Sequence, residues 1–295
     1  MKLVESGVEL IMQEPGMKGV NKMIELAGRT CYKSEANITE DSSEAFVERM
    51  INSQHLGMLE HGTVYLKVPI EYFNDIVDDH DFNFYDNPYT RWGYTNDRKF
   101  ICLSTNLRVL YEYHYMDLLK FLHDPTELDF ENKHFHRRIT IKFIPNIAIA
   151  REIRTHRKMS FANESTRWCN YSKDRFDNSV TFIRPVWLKT SDYNAMDDIG
   201  RIFYRNCEHC EFDYIRLLKK GLKPEDARDA LNLDVKSEIV VTGFALDWRE
   251  FFDKRLFEKT GRVHPLMLKL ATDAKQALAD ANLWTYVMSQ PSKFD

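Results

Sequence analysis

The spacing of apolar residues along the 295-residue chain is the feature that most constrains its fold. Apolar and polar residues alternate, as in strands, over residues 8–15, 63–68, 99–103 and 139–144. Helical spacing dominates the second half of the chain. This mixture predicts an α+β fold with a mixed sheet core and a helical part. Because no convincing linker divides the sequence, we expect a single domain over residues 1–295.

Apolar spacing and capping residues also predict the helices. They cover residues 19–28, a segment starting near 42, and residues 107–122, 145–156, 192–221, 224–230 and 265–282. Gly221 is placed at the C-cap of the longest helix, since glycine readily adopts the left-handed conformation. Residues 235–252 form a helical or mixed apolar segment. Residues 74–97 are dense in Asp, Asn, Tyr and Gly and predict an excursion or active-site loop.

Charge and composition exclude several classes of protein. The net charge is −4, so there is no global basic field for nucleic acid, and we expect none as a partner. No run approaches the roughly 18 apolar residues of a membrane span. The N-terminal apolar run contains acidic residues, unlike a secretory signal. Together with an odd cysteine count, five, this predicts a cytoplasmic protein, or one in the host cytoplasm if virally encoded.

Residues 151–168 form a basic, hydroxyl-rich stretch. Arg151, Arg154 and Arg157 are spaced three apart, which on a helix places them along one drifting face. Hydroxyl and amide side chains and a further arginine follow. Guanidinium groups bind phosphate oxygens in bidentate fashion, so the stretch predicts a site for a phosphorylated ligand. A solvated basic helix end is an equally supported interpretation from composition alone.

Residue identity and spacing favour the ligand site. Thr155, His156 and Arg157 are followed by seven residues and then Ser165. This resembles the R-H-R, seven residues, S signature of flavin-dependent thymidylate synthases, and the similarity continues to Ser172. Further similar segments are GRTCYKS at 28–34, HLGMLEH at 55–61, FICLSTNLR at 100–108, EDAR at 225–228 and the segment 242–255.

The resemblance implies the reductive methylation of dUMP to dTMP. Methylenetetrahydrofolate donates the carbon, and FAD reduced by NADPH supplies the hydride. The family has an α/β core with a helical part and no Rossmann motif, so the absence of G-x-G-x-x-G here is no objection. It also implies a homotetramer in which each active site is shared between subunits.

The resemblance assigns site residues to a catalytic, a flavin-binding and a dUMP-binding group, and the catalytic group would be Arg255 and Ser165. The flavin-binding residues would be His55, Gly57, Thr155, His156, Arg157, Asn163, Phe244, Ala245, Leu246 and Glu250. The dUMP-binding residues would be Glu152, Ile153, Arg154, Thr155, Asn163, Glu164, Ser165, Thr166, Arg167, Arg228 and Arg255. Of these, Arg255 would polarise the uracil ring, which fits the need for a fixed cation where negative charge develops. Ser165 falls on the family's active-loop serine, and we interpret it as a hydrogen-bonding residue near the base.

The chain also departs from the family pattern. Thr155 replaces the first arginine of the signature, Trp168 a tyrosine, and Asn163 a Gln or Glu. Phe244 and Leu246 replace a polar N-x-R, which would remove polar flavin contacts. Extra residues lie near 74–97 and 124–136. These differences leave room for a variant reaction on dUMP, such as hydroxymethylation, or for a non-catalytic binder of nucleotides or RNA.

Two weaker signals have ordinary alternatives. Cys207 and Cys210 form a single C-x-x-C, which is weak evidence for zinc without a second pair, so we predict no metal site. The aromatic side chains at residues 85–94 are equally consistent with stacking on folate or nicotinamide rings and with loop packing.

Overall fold

The computed structural model describes residues 1–79, 87–124 and 136–294. Its strands form three sheets, with orders β1-β8, β2-β6-β9-β7 and β3-β5-β4. The strands are β1 Lys2–Val4, β2 Gly7–Ile11, β3 Thr63–Pro69, β4 Arg91–Tyr94, β5 Phe100–Asn106, β6 Arg138–Ile144, β7 Ser160–Asn163, β8 Thr181–Ile183 and β9 Ile239–Phe244. Residues 80–86 and 125–135, where parts of both predicted insertions fall, lie outside the described residues.

The antiparallel four-stranded sheet carries the main core. All six residues of β9 are buried, as expected for a central strand with a β-branched start. Ile141 and Phe143 of β6 pack in the same cluster as Trp248 and Phe251, which belong to the helix that follows β9. Trp248 also donates its indole N–H to the carbonyl of Ile139 at 3.0 Å. This sheet fixes β7, and with it the hydroxyl-rich segment that β7 leads into.

The helices are distributed along the described chain. They are α1 Gly16–Tyr32, α2 Ser43–Asn52, α3 Ile70–Asp79, α4 Leu107–Glu112, α5 Ile147–Ile153, α6 Asp198–Lys219, α7 Pro224–Ala227, α8 Ala245–Arg255, α9 Pro265–Asp280 and α10 Trp284–Met288. Helices and small sheets occur together, so the predicted α+β class is confirmed.

Several predicted boundaries were wrong for local reasons. The predicted helix 107–122 breaks after α4, because His114 takes a left-handed φ of 62°. Helix α5 starts after Pro145, since the Asn146 side chain accepts the Ile149 N–H at 2.9 Å as its N-cap. Asp197 likewise caps α6 through the Gly200 N–H, so that helix begins at 198 rather than 192. Gly221 follows the C-terminal end of α6 in the predicted left-handed conformation, with φ +99°.

Three segments contain a strand that their sequence did not predict. The segment 235–252 splits into strand β9 and helix α8. Within the predicted excursion 74–97, residues 91–94 form β4, which pairs with β5 and places Arg91 opposite Ser104. The basic, hydroxyl-rich stretch 151–168, for which no strand was predicted, contains β7. Cys207 and Cys210 pack in a third core cluster with Tyr214 of the same helix, α6, and the Cys210 thiol bonds the Ala230 carbonyl at 2.9 Å.

Candidate functional site

A cleft of about 900 Å³ opens beside the end of β7. It collects predicted dUMP-site residues from three elements: Arg154 after α5, residues 163–167 after β7, and Arg228 after α7. The remaining lining residues are Cys31, Met58, Glu60, Ile147, Ala150, Arg151, Met159, Phe161, Asp229, Leu231, Asn232, Leu233 and Ser237. The cleft therefore combines cations, hydroxyls and apolar side chains with the carboxylates of Glu60, Glu164 and Asp229.

Backbone hydrogen bonds hold the segment 163–167, here named the cleft loop. The Glu164 N–H donates to the Glu238 carbonyl at 2.7 Å, and the Ser165 N–H donates to the Cys31 carbonyl at 3.0 Å. The Asn163 amide donates to the carbonyl of Glu164 at 2.7 Å. Its Oδ1 atom is buried and has no partner among the described residues, so it can accept a hydrogen bond from a ligand.

Beneath the loop lies a buried ion network, here named the cleft floor. Its members are Lys33, Lys142, Glu164, Lys236 and Glu238. The Lys236 ammonium lies 2.9 Å from the Glu164 carboxylate and 2.7 Å from that of Glu238. Lys33 and Lys142 reach Glu238 at 2.9 and 2.6 Å. These attractions outweigh the opposing effect of burial and hold the pKa of Glu238 well below its ordinary value.

Glu164 is fixed from a second side as well. The Tyr171 hydroxyl donates to its carboxylate at 2.9 Å, and its side chain is only 1% exposed. Sequence reasoning missed Lys236 and Glu238. Their i, i+2 spacing before β9 was the available signal, because it places both side chains on one face of an extended segment.

The cations at the cleft edge, here named the rim, behave differently. Arg151, Arg154 and Arg228 are all exposed. Arg228 makes one long contact to the Thr166 hydroxyl at 3.5 Å, and no ion pair joins any of the three to a carboxylate in the described part of the chain. Since α5 ends at Ile153, Arg157 does not continue a helical face with the other two.

Arg255, at the end of α8, is the centre of a separate group. Its guanidinium donates to the Glu152 carboxylate at 3.2 Å and to the Thr155 hydroxyl at 3.1 Å. It also donates to the Glu152 carbonyl and to His156 Nε2, at 3.3 and 3.2 Å. Burial, aided by the Arg255 charge, lowers the pKa of His156 to about 4, so this ring is neutral at pH 7. None of these residues lines the cleft.

The residues assigned to the flavin are dispersed. Ile153, of the predicted dUMP face, and Phe244 and Ala245, of the flavin set, are buried in the protein. Leu246 is half-buried and Arg157 exposed. The Glu250 carboxylate bonds Lys254 at 2.8 Å and also the Lys293 ammonium.

The loop containing His55 and Gly57 is open. His55 Nδ1 lies 3.3 Å from the Tyr32 hydroxyl, and Tyr32 meets the exposed Trp168 ring edge-on at 6.3 Å. Gly57 has open space where a side chain would project. Of the other aromatics considered for stacking, Trp92 and Tyr94 are exposed and pack edge-on, whereas Tyr85 lies outside the described residues.

No helix in the described ranges is long and apolar enough to cross a membrane. The same ranges contain no group of three or more His, Cys, Asp or Glu side chains placed to hold a metal ion.

The sequence around the cleft matches a known protein family. Residues 130–264 match the Thy1 family model, described as thymidylate synthase complementing protein. The predicted family resemblance is confirmed. The matched segment contains the cleft loop, the rim arginines and Arg255, whereas the lining residues Cys31, Met58 and Glu60 and the floor residue Lys33 lie before it.

Solved structures with a similar course of the chain were also found. The UMP/dUMP methylase PolB from Streptomyces cacaoi, bound with 5-Br dUMP, is 16% identical, with 98% of each chain covered and a TM-score of 0.45. Thymidylate synthase X (ThyX) from Helicobacter pylori, with FAD and dUMP, is 11% identical, covering 95% of this chain and 97% of that one, with a TM-score of 0.40. No curated protein matches the chain in sequence.

Proposed function

We propose that the chain is a flavin-dependent enzyme that methylates dUMP to dTMP, with methylenetetrahydrofolate as carbon donor and NADPH as reductant. The observation that carries this proposal is the rim. Its arginines are exposed, form no ion pair with a carboxylate in the described residues, and surround a cleft lined with hydroxyl groups. They lie within the segment that matches the family model. A volume of about 900 Å³ is near the upper end for small-molecule sites, roughly 300–1,000 Å³, and leaves room for more than a nucleotide alone.

In this proposal the rim holds the 5′-phosphate of dUMP. The guanidinium groups of Arg151, Arg154 and Arg228 form no ion pair in the described part of the chain. A phosphate can therefore bind them without displacing a carboxylate. The hydroxyls of Ser165 and Thr166 and the Asn163 amide then meet the sugar and base. Ser165 acts as a hydrogen-bonding group, since no base contacts its hydroxyl among the described residues.

The chemistry of the donor set fits FAD in part. Open space at Gly57, the unpartnered Oδ1 of Asn163 and the exposed cation of Arg157 suit a flat ring system with phosphates. These three, with His55, are the residues that would hold it. When bound, FAD supplies the hydride, and NADPH reduces it. Phe244 and Ala245 are buried and offer no polar side chain there.

Arg255 supplies the electrostatic part of the mechanism. A guanidinium has five N–H donors, and its four bonds use one on Nε, one on Nη1 and two on Nη2, leaving one on Nη1. A pyrimidine oxygen bound there would have its developing negative charge stabilised, which raises the nucleophilicity of C5. Neutral His156 accepts from Arg255 and keeps the guanidinium oriented without adding a second cation.

No thiolate is required in this scheme. Cys31 lines the cleft, but burial raises the pKa of its thiol to about 11, helped by the Glu164 charge. The thiol is therefore protonated at neutral pH and a poor nucleophile.

A homotetramer with shared sites accounts for the separation of Arg255 from the cleft, because a second copy would bring the two together. Helix α6 supports this with three large apolar side chains that are strongly exposed, Ile199 at 66%, Ile202 at 62% and Phe212 at 61%. Exposed apolar side chains on one helix offer surface that a second copy can bury.

The test is a turnover assay on the FAD-loaded chain. NADPH oxidation should accelerate when dUMP is added. A chain that takes up no FAD, or whose NADPH oxidation ignores dUMP, contradicts the proposal. Strong salt-dependent RNA binding without flavin would favour the non-catalytic alternative instead.

A further inference from the structure

One face of helix α6 is exposed along most of its length. The opposite face packs into the third core cluster through Cys207, Cys210 and Tyr214. On the exposed face, side chains recur at intervals of four, three, four, three and four residues. This set, here named the outer stripe, is Asp198, Ile202, Arg205, His209, Phe212 and Arg216, all of them exposed. The average interval is about 3.5 residues, the repeat with which one α-helix packs along another.

The outer stripe has apolar side chains that a second helix could cover. Ile202 and Phe212 are both large and strongly exposed. A shallow groove of about 690 Å³ adjoins Phe212 and is also lined by Ile215 and Arg216. The Arg216 guanidinium carbon lies 5.9 Å from the centroid of the Phe212 ring. Covering this face would remove apolar surface from water and give the groove an occupant.

The charges at the two ends of the outer stripe restrict what can cover it. Asp198, at the start, approaches Arg201 at 3.5 Å, yet its side chain is 97% exposed. Arg216, near the end, forms no ion pair with an acid in the described part of the chain. The stripe is therefore acidic at its first position and basic at its last.

A second α6 helix matches this pattern in one direction. In an antiparallel pair, Asp198 faces Arg216 of the other copy and Ile202 faces Phe212, and two-fold symmetry repeats each layer. Arg205 and His209 form the middle layer, where their polar ends can remain in water. A parallel pair would instead place each charged residue against its own copy, which is unfavourable.

We propose that α6 packs antiparallel against α6 of a second copy of this chain. The inference rests on the homotetramer of the proposed function and names one of its interfaces, but it does not depend on flavin or dUMP binding. The outer stripe is about 27 Å long at 1.5 Å per residue. The two-fold axis passes at the level of Cys207, midway between the two members of every layer. Such an interface uses the same surface of both copies and closes on itself.

The experiment measures the mass of the full chain by sedimentation equilibrium over a series of protein concentrations. The test variants are Ile202→Lys, Phe212→Glu and the double variant that combines them. All three change exposed side chains, so the fold of the subunit should be retained. Val186→Lys is the matched control, because Val186 is also an exposed apolar residue but lies outside α6. FAD binding is measured on the same samples.

Each single variant should weaken the association by about 100-fold, because the change removes an apolar contact twice in a two-fold interface. The mass should then fall to half at low protein concentration, whereas Val186→Lys should keep the wild-type mass. The double variant should recover most of the association, because the introduced lysine faces the introduced glutamate across an antiparallel pair. In a parallel pair like charges would meet, and the double variant would stay dissociated.

A double variant that stays dissociated contradicts the antiparallel arrangement. A monomeric wild type, or single variants with the wild-type mass, shows that the α6 interface is wrong, whatever the flavin titration gives. If the single variants halve the mass of a chain that takes up no FAD, and the double variant recovers it, the interface is supported and the proposed flavin function fails.

Discussion

The cleft floor and the cleft rim are both dense in charge, but they use it in opposite ways. On the floor, Lys236 sits between Glu164 and Glu238, and every member is paired within 3 Å. On the rim, Arg151, Arg154 and Arg228 are exposed and form no ion pair in the described part of the chain. Paired buried charges hold a shape, whereas unpaired exposed charges remain available to a ligand. The contrast separates charged residues that hold the shape of the cleft from charged residues that remain free of an ion pair in the described part of the chain.

The largest expected effect concerns the floor. Lys236→Met should lower the free energy of unfolding by about 3–5 kcal/mol, because it leaves two buried carboxylates short of a partner. Chemical denaturation measures this. Lys18→Met is the control, since Lys18 pairs with Glu40 in full exposure and should matter little. Equal stability of the two variants would show that the floor does not hold the cleft loop.

Arg255 belongs to neither the cleft floor nor the cleft rim, and it should control the rate of turnover. Arg255→Ala should raise the barrier to turnover by about 2–4 kcal/mol, because it removes the cation proposed to face the pyrimidine. FAD affinity should change far less. Steady-state kinetics with a parallel flavin titration measure both quantities. Unchanged turnover with only dUMP affinity altered would make Arg255 a binding residue rather than an activating one.

The rim should lose affinity without losing stability. Arg154→Ala should weaken dUMP binding by about 10- to 100-fold, since one charged hydrogen-bonding group is worth roughly 1.5–3 kcal/mol. Deoxyuridine binding should not change, because that nucleoside has no phosphate. Calorimetry with both ligands distinguishes the two, with the exposed Arg262→Ala variant as control. A loss shared by both ligands would place Arg154 at the base or sugar instead.

Acid should lower the free energy of unfolding through the buried side chain of His61. Burial lowers the pKa of His61 to about 3, below its ordinary value of 6.5, so the folded state favours the neutral ring. The unfolded chain then binds more protons below pH 6.5, and stability falls as the pH drops from 6.5 towards 3. One such histidine costs about 2 kcal/mol between pH 7 and 5.

His61→Asn should therefore flatten the pH dependence of the free energy of unfolding, as measured by denaturation at pH 7 and pH 5. The exposed His209→Asn variant should keep the wild-type dependence. An unchanged slope in His61→Asn would mean that this ring does not control the acid response.

The smallest effect is expected at Ser165. Ser165→Ala should reduce turnover by no more than about tenfold, since it removes one hydrogen bond worth roughly 1 kcal/mol. Single-turnover kinetics measure the step directly. A loss of several orders of magnitude would indicate that this hydroxyl takes part in the chemical step rather than forming one hydrogen bond.

Much of this arrangement could be predicted from residue patterns. Period-two alternation located β3, β5 and β6, and residue identity located the cleft loop and the rim. The break after α4 could not be predicted, because it depends on a left-handed His114 that no local signal requires. Strand β9 was missed because an all-buried apolar run of that length has no distinctive period.

The cleft floor and the contact between Arg91 and the Phe244 ring were missed for a different reason. Lys33, Lys142 and Lys236 are far apart in sequence and meet only when α1, β6 and the approach to β9 pack together. Arg91 reaches Phe244 only because β4 pairs with β5. Long-range contacts of this kind leave no trace in the spacing of a single sequence.

The most direct test of the proposed function is the mass of the nucleotide formed from dUMP. The FAD-loaded chain is incubated with dUMP, NADPH and methylenetetrahydrofolate carrying a labelled methylene carbon, and the products are analysed by mass spectrometry. The proposed function predicts dTMP with the label in its methyl group. A labelled hydroxymethyl product would show a different reaction at the same site, and unchanged dUMP would contradict the proposed enzyme.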